Sequence, residues 1–74
     1  MRTLDTLSVG EQGVVQFVTG EGKIRRRLLD MGITPGVELL LRKKAPLGDP
    51  IEISLRGYEL TLRNSEAACV TMKD

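Results

Sequence analysis

Two short segments of alternating apolar residues constrain this chain more than any other feature. Every second residue is apolar in 51–55 and again in 58–62, and only the dipeptide Arg56-Gly57 separates the two segments. A period of two is typical of a strand that buries one face, and a two-residue connection ending in glycine is typical of a tight hairpin. The pairs expected from this turn are Leu55 with Tyr58, Ile53 with Leu60 and Ile51 with Leu62. All three pairs are apolar, which predicts an antiparallel hairpin with one buried face.

The remaining strands are predicted from similar patterns. Residues 13–20 are rich in valine and bounded by glycines, 37–44 carry apolar side chains at alternate positions, and 68–72 alternate again. In the first of these, Val15 and Phe17 are expected to share a face. We expect a mainly β single domain over residues 1–74, with about five short antiparallel strands and one short α-helix. Curling into a small barrel would remove the exposed edges of such a sheet.

The helix is predicted over Lys23–Met31, where the apolar spacing changes. Ile24, Leu28 and Met31 lie at i, i+4 and i+7 and are expected to form the buried stripe. Gly32 follows where a left-handed cap favours glycine. Leu29 would point about 140° away from Ile24 at 100° per residue, which places it off that stripe.

Composition disfavours several classes of function. The chain has 11 basic and 10 acidic residues, so a globally basic nucleic-acid binder is not indicated. It has no histidine and a single cysteine, Cys69, so the usual general base and a zinc or iron ligand set are missing, and we expect no enzyme, cofactor or metal site. A single cysteine fits a reducing cytoplasm. No apolar run approaches a membrane span, and Met1–Asp5 does not resemble the start of a signal peptide.

The ordered set of motifs in this chain, together with the earlier strand and its glycines, resembles the FeoA family over about residues 5–72. FeoA proteins are small cytosolic proteins of bacterial ferrous iron uptake. The matching segments are Leu28-Leu29-Asp30-Met31-Gly32, Ile33-Thr34-Pro35-Gly36, the loop Ala45–Pro50, the hairpin 51–62 and Ala67-Ala68-Cys69-Val70. The resemblance implies an SH3-like β-barrel and an association with the ferrous iron permease FeoB, which carries a cytosolic GTP-binding domain. It implies a cytoplasmic protein that reaches the inner face of the membrane through FeoB without inserting itself.

The predicted partner-binding residues are Arg25, Arg26 and Leu29. If Ile24, Leu28 and Met31 are buried, these three residues are free to face outwards, and arginine beside a large apolar side chain is typical of interface cores. A solvated helix face is the ordinary explanation of such a run of arginines.

Two other functions remain open at this point. One is a corepressor-type or nucleic-acid-associated module, since the same domain type resembles the C-terminal part of iron-dependent repressors. Because residues 1–74 hold no helix-turn-helix pattern, the resemblance to a free-standing FeoA protein is the better match. The other is a GTPase activator that supplies an arginine from Arg25, Arg26 or Arg27. The hairpin around Arg56-Gly57-Tyr58 is the second candidate surface for docking.

Overall fold

The computed structural model describes residues 2–73. The elements in chain order are β1 (Arg2–Thr3), a 3-10 turn (Leu4–Thr6), β2 (Gln12–Val18), α1 (Gly22–Asp30), β3 (Glu38–Lys44), β4 (Ile51–Leu55), β5 (Tyr58–Leu62), α2 (Asn64–Ala67) and β6 (Val70–Met72). The mainly β architecture with one short helix of more than a single turn is confirmed. The expected strand count is one too low among these residues, because β1 is too short to carry an alternating pattern.

The strands form one antiparallel sheet in the order β1-β6-β2-β3-β4-β5. The expected closure into a barrel is wrong in detail, since β1 and β5 stand at opposite edges and pair only with β6 and β4. Register irregularities in β2 and β3 bend the sheet instead, as β-bulges do. Apolar side chains from both halves of the sheet therefore line one common core.

The bulge in β2 corrects the face predicted for this strand. It lies between Val15 and Phe17, where the pairing with β6 shifts. Val15 is fully buried and Val18 is 6% exposed, whereas Phe17 is only partly buried. One extra residue moves every later side chain to the opposite face, so Val18, and not Phe17, shares the buried face of Val15.

The β4–β5 hairpin has the predicted register, with Leu55 opposite Tyr58, Ile53 opposite Leu60 and Ile51 opposite Leu62. Arg56 and Gly57 have φ values of 51° and 85°, the two positive angles that a type I′ turn requires. The predicted burial of Tyr58 is wrong, since 45% of it is exposed. Tyr58 lies at the turn end of the hairpin, and its hydroxyl donates a hydrogen bond of 3.1 Å to the Met31 carbonyl.

The segment before β2 is held by two buried leucines and by polar contacts to the Glu11 carboxylate. Leu4 and Leu7 are buried in the core. Closer to the surface, the Ser8 N–H donates to Glu11 Oε1 at 2.9 Å, and Arg2 forms an ion pair with the same carboxylate. The Ser8 hydrogen bond, and then the Arg2 charge, lower the pKa of Glu11.

Candidate partner-binding surface

The C-terminal half of α1 is fixed to the core. Leu28 is fully buried, and after the helix ends Ile33 is fully buried as well. The Ile33 N–H donates to Leu28 O at 3.1 Å and the Gly32 N–H donates to Leu29 O at 3.0 Å, which are the two bonds of a Schellman motif. Gly32 has a φ of 94°, so the predicted left-handed cap is confirmed.

The N-terminal half of α1 makes less contact with the core. Ile24 was predicted to be buried, but it is 36% exposed. The side chains that α1 and its cap pack against the core are Leu28, Leu29 and Met31, all in the second half. The Ile24 Cγ2 lies 3.7 Å from the position that a Cβ on Gly20 would take, and the Cys69 Sγ lies 2.9 Å from the same position. The predicted stripe is therefore present at Leu28 and Met31 but fails at Ile24.

Arg25 and Arg26 are both exposed, as predicted, but their surroundings differ. Arg25 Nε donates to the Val18 carbonyl at 3.2 Å, which holds this guanidinium against the end of β2. Within residues 2–73, Arg26 forms no side-chain hydrogen bond or ion pair. Arg26 is therefore the arginine of this run whose donors are all open to a partner or to water.

Arg27 has a structural role. Its Nη1 lies 2.9 Å from Glu66 Oε2, and the Glu66 side chain is only 9% exposed. The other carboxylate oxygen of Glu66 accepts a hydrogen bond of 3.0 Å from the Arg63 N–H at the start of α2. Glu66 thus connects the two helices, and Arg27 supplies the cation that this nearly buried carboxylate needs.

Leu29 is partly buried and packs against the core, so the prediction that it is free of the core is wrong. At 100° per residue, Arg25, Leu29 and Arg26 lie about 60°, 100° and 160° from Leu28 around the helix axis. Leu29 therefore lies between the two arginines and shows one side to solvent. We call Arg25, Arg26 and Leu29 the helix surface. It is a basic surface with an apolar strip at its centre. This strip is smaller than the sequence predicted, because Leu29 is partly buried.

The chemistry available at this surface is recognition. No three side chains of the types His, Cys, Asp and Glu come together anywhere in residues 2–73. Cys69 is half-buried, and its thiol donates to the Ser65 carbonyl at 3.5 Å. Charge-assisted hydrogen bonds from arginine to carboxylate or phosphate are what the helix surface can offer. None of the helices between residues 2 and 73 is long and apolar enough to span a membrane.

The family described as the FeoA domain matches residues 2–73. The chain belongs to the FeoA family. It is 34% identical over 70 residues to the Fe(2+) transport protein A/Fe(2+) transporter FeoB fusion protein of Porphyromonas gingivalis. That alignment covers 95% of this chain but 8% of the relative, so the chain corresponds to a small part of the fusion protein.

Two solved structures extend the comparison to the fold. The FeoA-like protein of Clostridium acetobutylicum is 41% identical, with a TM-score of 0.89 over 96% of this chain and 83% of that one. The FeoA of Stenotrophomonas maltophilia, solved with zinc and described as a prokaryotic SH3 domain protein, is 30% identical, with a TM-score of 0.86 over 99% and 91% of the two chains. The expected SH3-like fold is thereby confirmed for this FeoA domain.

Proposed function

We propose that this FeoA protein is a non-enzymatic accessory protein of ferrous iron uptake that binds the cytosolic GTP-binding domain of an FeoB transporter. The observation that carries the proposal is the fusion protein of P. gingivalis, in which a relative of this domain and an FeoB transporter form one polypeptide. Fusion keeps two domains at a high effective concentration, which is useful when they act on one another. In either arrangement the domain needs a surface that recognises the transporter.

The helix surface is the docking site that we assign to this role. Arg26 is exposed and unpaired within residues 2–73, and Arg25 is exposed but positioned by the Val18 carbonyl. Positive groups at the edge of a contact steer an acidic partner and raise the association rate. The exposed side of Leu29 supplies apolar area between them, and Ile24 adds an exposed apolar side chain at the first turn. These groups fit an acidic partner surface with a small apolar centre.

The binding test uses the cytosolic domain of FeoB from the same genome without nucleotide, with GDP and with a non-hydrolysable GTP analogue. We expect Arg25→Glu with Arg26→Glu to lower the association rate about tenfold or more at low salt and to flatten its salt dependence. Arg56→Glu is the matched control, because it reverses one exposed charge on the β4–β5 turn. Loss of binding in Arg56→Glu alone would move the site to the hairpin, and wild-type kinetics in both would exclude the helix surface.

An arginine-supplying GTPase activator is tested with the same two proteins and hydrolysable GTP. Arg27 is paired with Glu66 and Arg25 with a backbone carbonyl, so Arg26 is the arginine most available to reach a bound nucleotide. An activator of this kind accelerates hydrolysis by orders of magnitude and loses that effect when its arginine is replaced. We expect GTP hydrolysis by FeoB to change less than tenfold on adding this protein. A larger acceleration that Arg26→Ala removes would contradict the accessory role.

A further inference from the structure

Strand β5 forms one edge of the sheet and pairs with β4 on one side only. The strand at the other edge, β1, is two residues long, whereas β5 has five residues. Edge strands that remain unpaired are commonly protected by lysine, proline or a bulge. β5 contains no lysine or proline, and its pairing with β4 is regular throughout. It therefore offers a straight, unprotected edge to a further strand.

The register of the hairpin shows which backbone groups of β5 point outwards. In a two-residue hairpin the residues that flank the turn, here Leu55 and Tyr58, exchange both hydrogen bonds, and such pairs recur at every second position. The N–H and C=O groups of Glu59 and Thr61 therefore point away from β4. Both residues are exposed, and within residues 2–73 these outward groups form no backbone hydrogen bond.

The unpaired edge ends at Arg63. The backbone of Arg63 is extended, with φ −76° and ψ 152°, so it continues the direction of β5. Its N–H, however, donates to Glu66 Oε1 at 3.0 Å, and its C=O accepts the N–H of Glu66 at 3.0 Å and of Ala67 at 2.9 Å. At the other end, Gly57 belongs to the turn and has a φ of 85°. The outward groups of Glu59 and Thr61 are thus the ones left for a partner strand.

These groups match those of a second copy of β5 in one antiparallel register. A two-fold axis at Leu60 places Glu59 opposite Thr61 of the second copy, and Thr61 opposite Glu59 of the second copy. All outward groups of both strands are then used, in two pairs that each exchange two hydrogen bonds. An axis at Glu59 would put two carboxylates directly opposite each other, which is unfavourable. An axis at Thr61 would require the Arg63 N–H, which Glu66 already accepts.

The side chains on both faces of β5 are compatible with this register. Leu60 is partly buried against the core, and the axis brings it beside Leu60 of the second copy, which covers its exposed side. Glu59 is the one charged residue of β5, and its carboxylate lies 3.4 Å from Arg42 on β3. Because β4 separates β3 from β5, this contact draws the carboxylate over the sheet and away from the edge. In the register centred on Leu60, Glu59 meets a threonine and no like charge.

We propose that β5 pairs with β5 of a second copy of this chain, which joins the two sheets into one continuous sheet around a two-fold axis. The contact is isologous, so each copy supplies the same donors and acceptors. It is small and gives a weak, reversible dimer. The contact uses neither the helix surface nor FeoB, so its test is independent of the proposed function.

A set of variants at the single exposed position 61 tests the pairing by sedimentation at up to about 1 mM protein. Thr61→Pro removes the outward N–H and leaves the bonds to β4 in place, so we expect the dissociation constant of the dimer to rise about tenfold or more. Thr61→Val is the matched control, because it keeps the N–H and the branched shape, and it should change the constant less than about twofold.

Two charged variants at the same position have opposite expected effects. Thr61→Lys places a cation directly opposite Glu59 of the second copy and should lower the dissociation constant about threefold, whereas Thr61→Glu should raise it about threefold. Glu52 on β4 also lies opposite position 61, so these changes alter stability as well. The comparison is therefore made at a temperature where both variants are folded, and it does not depend on Thr61→Pro.

Amide hydrogen exchange of the wild-type protein locates the contact. Between about 0.05 mM and 1 mM, we expect exchange of the Glu59 and Thr61 amides to slow about threefold, with no change for Leu60, which β4 already protects. A protein that stays monomeric at about 1 mM would overturn the proposal. So would a dimer that protects other amides or responds alike to lysine and glutamate at position 61. Protection of Glu59 and Thr61 by FeoB alone would assign the edge to that protein instead.

Discussion

The two halves of α1 differ in how much of the domain holds them. The C-terminal half carries a fully buried leucine, a Schellman cap and the Tyr58 hydroxyl bonded to the Met31 carbonyl. The N-terminal half carries Ile24 at 36% exposure and two exposed arginines, of which only Arg25 is tied to the sheet. The difference shows that a helix of nine residues can be held by the core along one half while the side chains of its other half stay exposed.

Truncating one apolar residue in each half gives the largest expected contrast. Leu28→Ala removes a fully buried side chain, and the cost of such changes is about 3 kcal/mol. Ile24→Ala should cost less than about 1 kcal/mol, because Ile24 is partly exposed and alanine is the better helix former. Urea denaturation of the two variants measures the difference. Equal losses of unfolding free energy would mean that the core holds both halves alike.

The two glycines at the ends of α1 give a smaller contrast. Gly32 has a φ of 94°, and a Cβ there would lie 2.7 Å from the Tyr58 hydroxyl. Gly32→Val should therefore cost about 2 kcal/mol through backbone strain and displacement of Tyr58. At Gly22 a Cβ would meet nothing within 4 Å, so Gly22→Ala should be neutral or slightly stabilising. Matching denaturation midpoints for the two variants would be incompatible with the left-handed cap.

The sequence was most informative where local chemistry decides the structure. The hairpin register follows from a two-residue turn and an alternation that only one pairing satisfies, and the cap follows from a glycine placed after a helical stripe. Both were predicted correctly. The bulge between Val15 and Phe17 was not predicted, because an extra residue in a valine-rich strand leaves no mark in its composition.

The surface was harder to predict than the core, because burial depends on what lies opposite. The period of α1 cannot show that Ile24 stays exposed, and the alternation in β5 cannot show that the Tyr58 hydroxyl bonds the Met31 carbonyl. The carbonyl that positions Arg25 belongs to Val18, the last residue of β2, and the carboxylate opposite Arg27 comes from α2. Such contacts depend on how the elements pack. The composition therefore indicated a basic surface without showing which arginine is free.

The smallest expected effect is the change in unfolding free energy when the charge of Arg26 is reversed. Arg26 lies about 160° from Leu28 around α1, so Arg26→Glu changes no core contact. The new carboxylate would attract Lys23 three residues before it and repel Asp30 four residues after it, two terms of a few tenths of a kcal/mol with opposite signs. The free energy of unfolding should stay within about 0.5 kcal/mol of the wild-type value. A loss above about 1 kcal/mol, with m-value unchanged, would show that Arg26 has a structural partner and would remove the reason for assigning it to recognition.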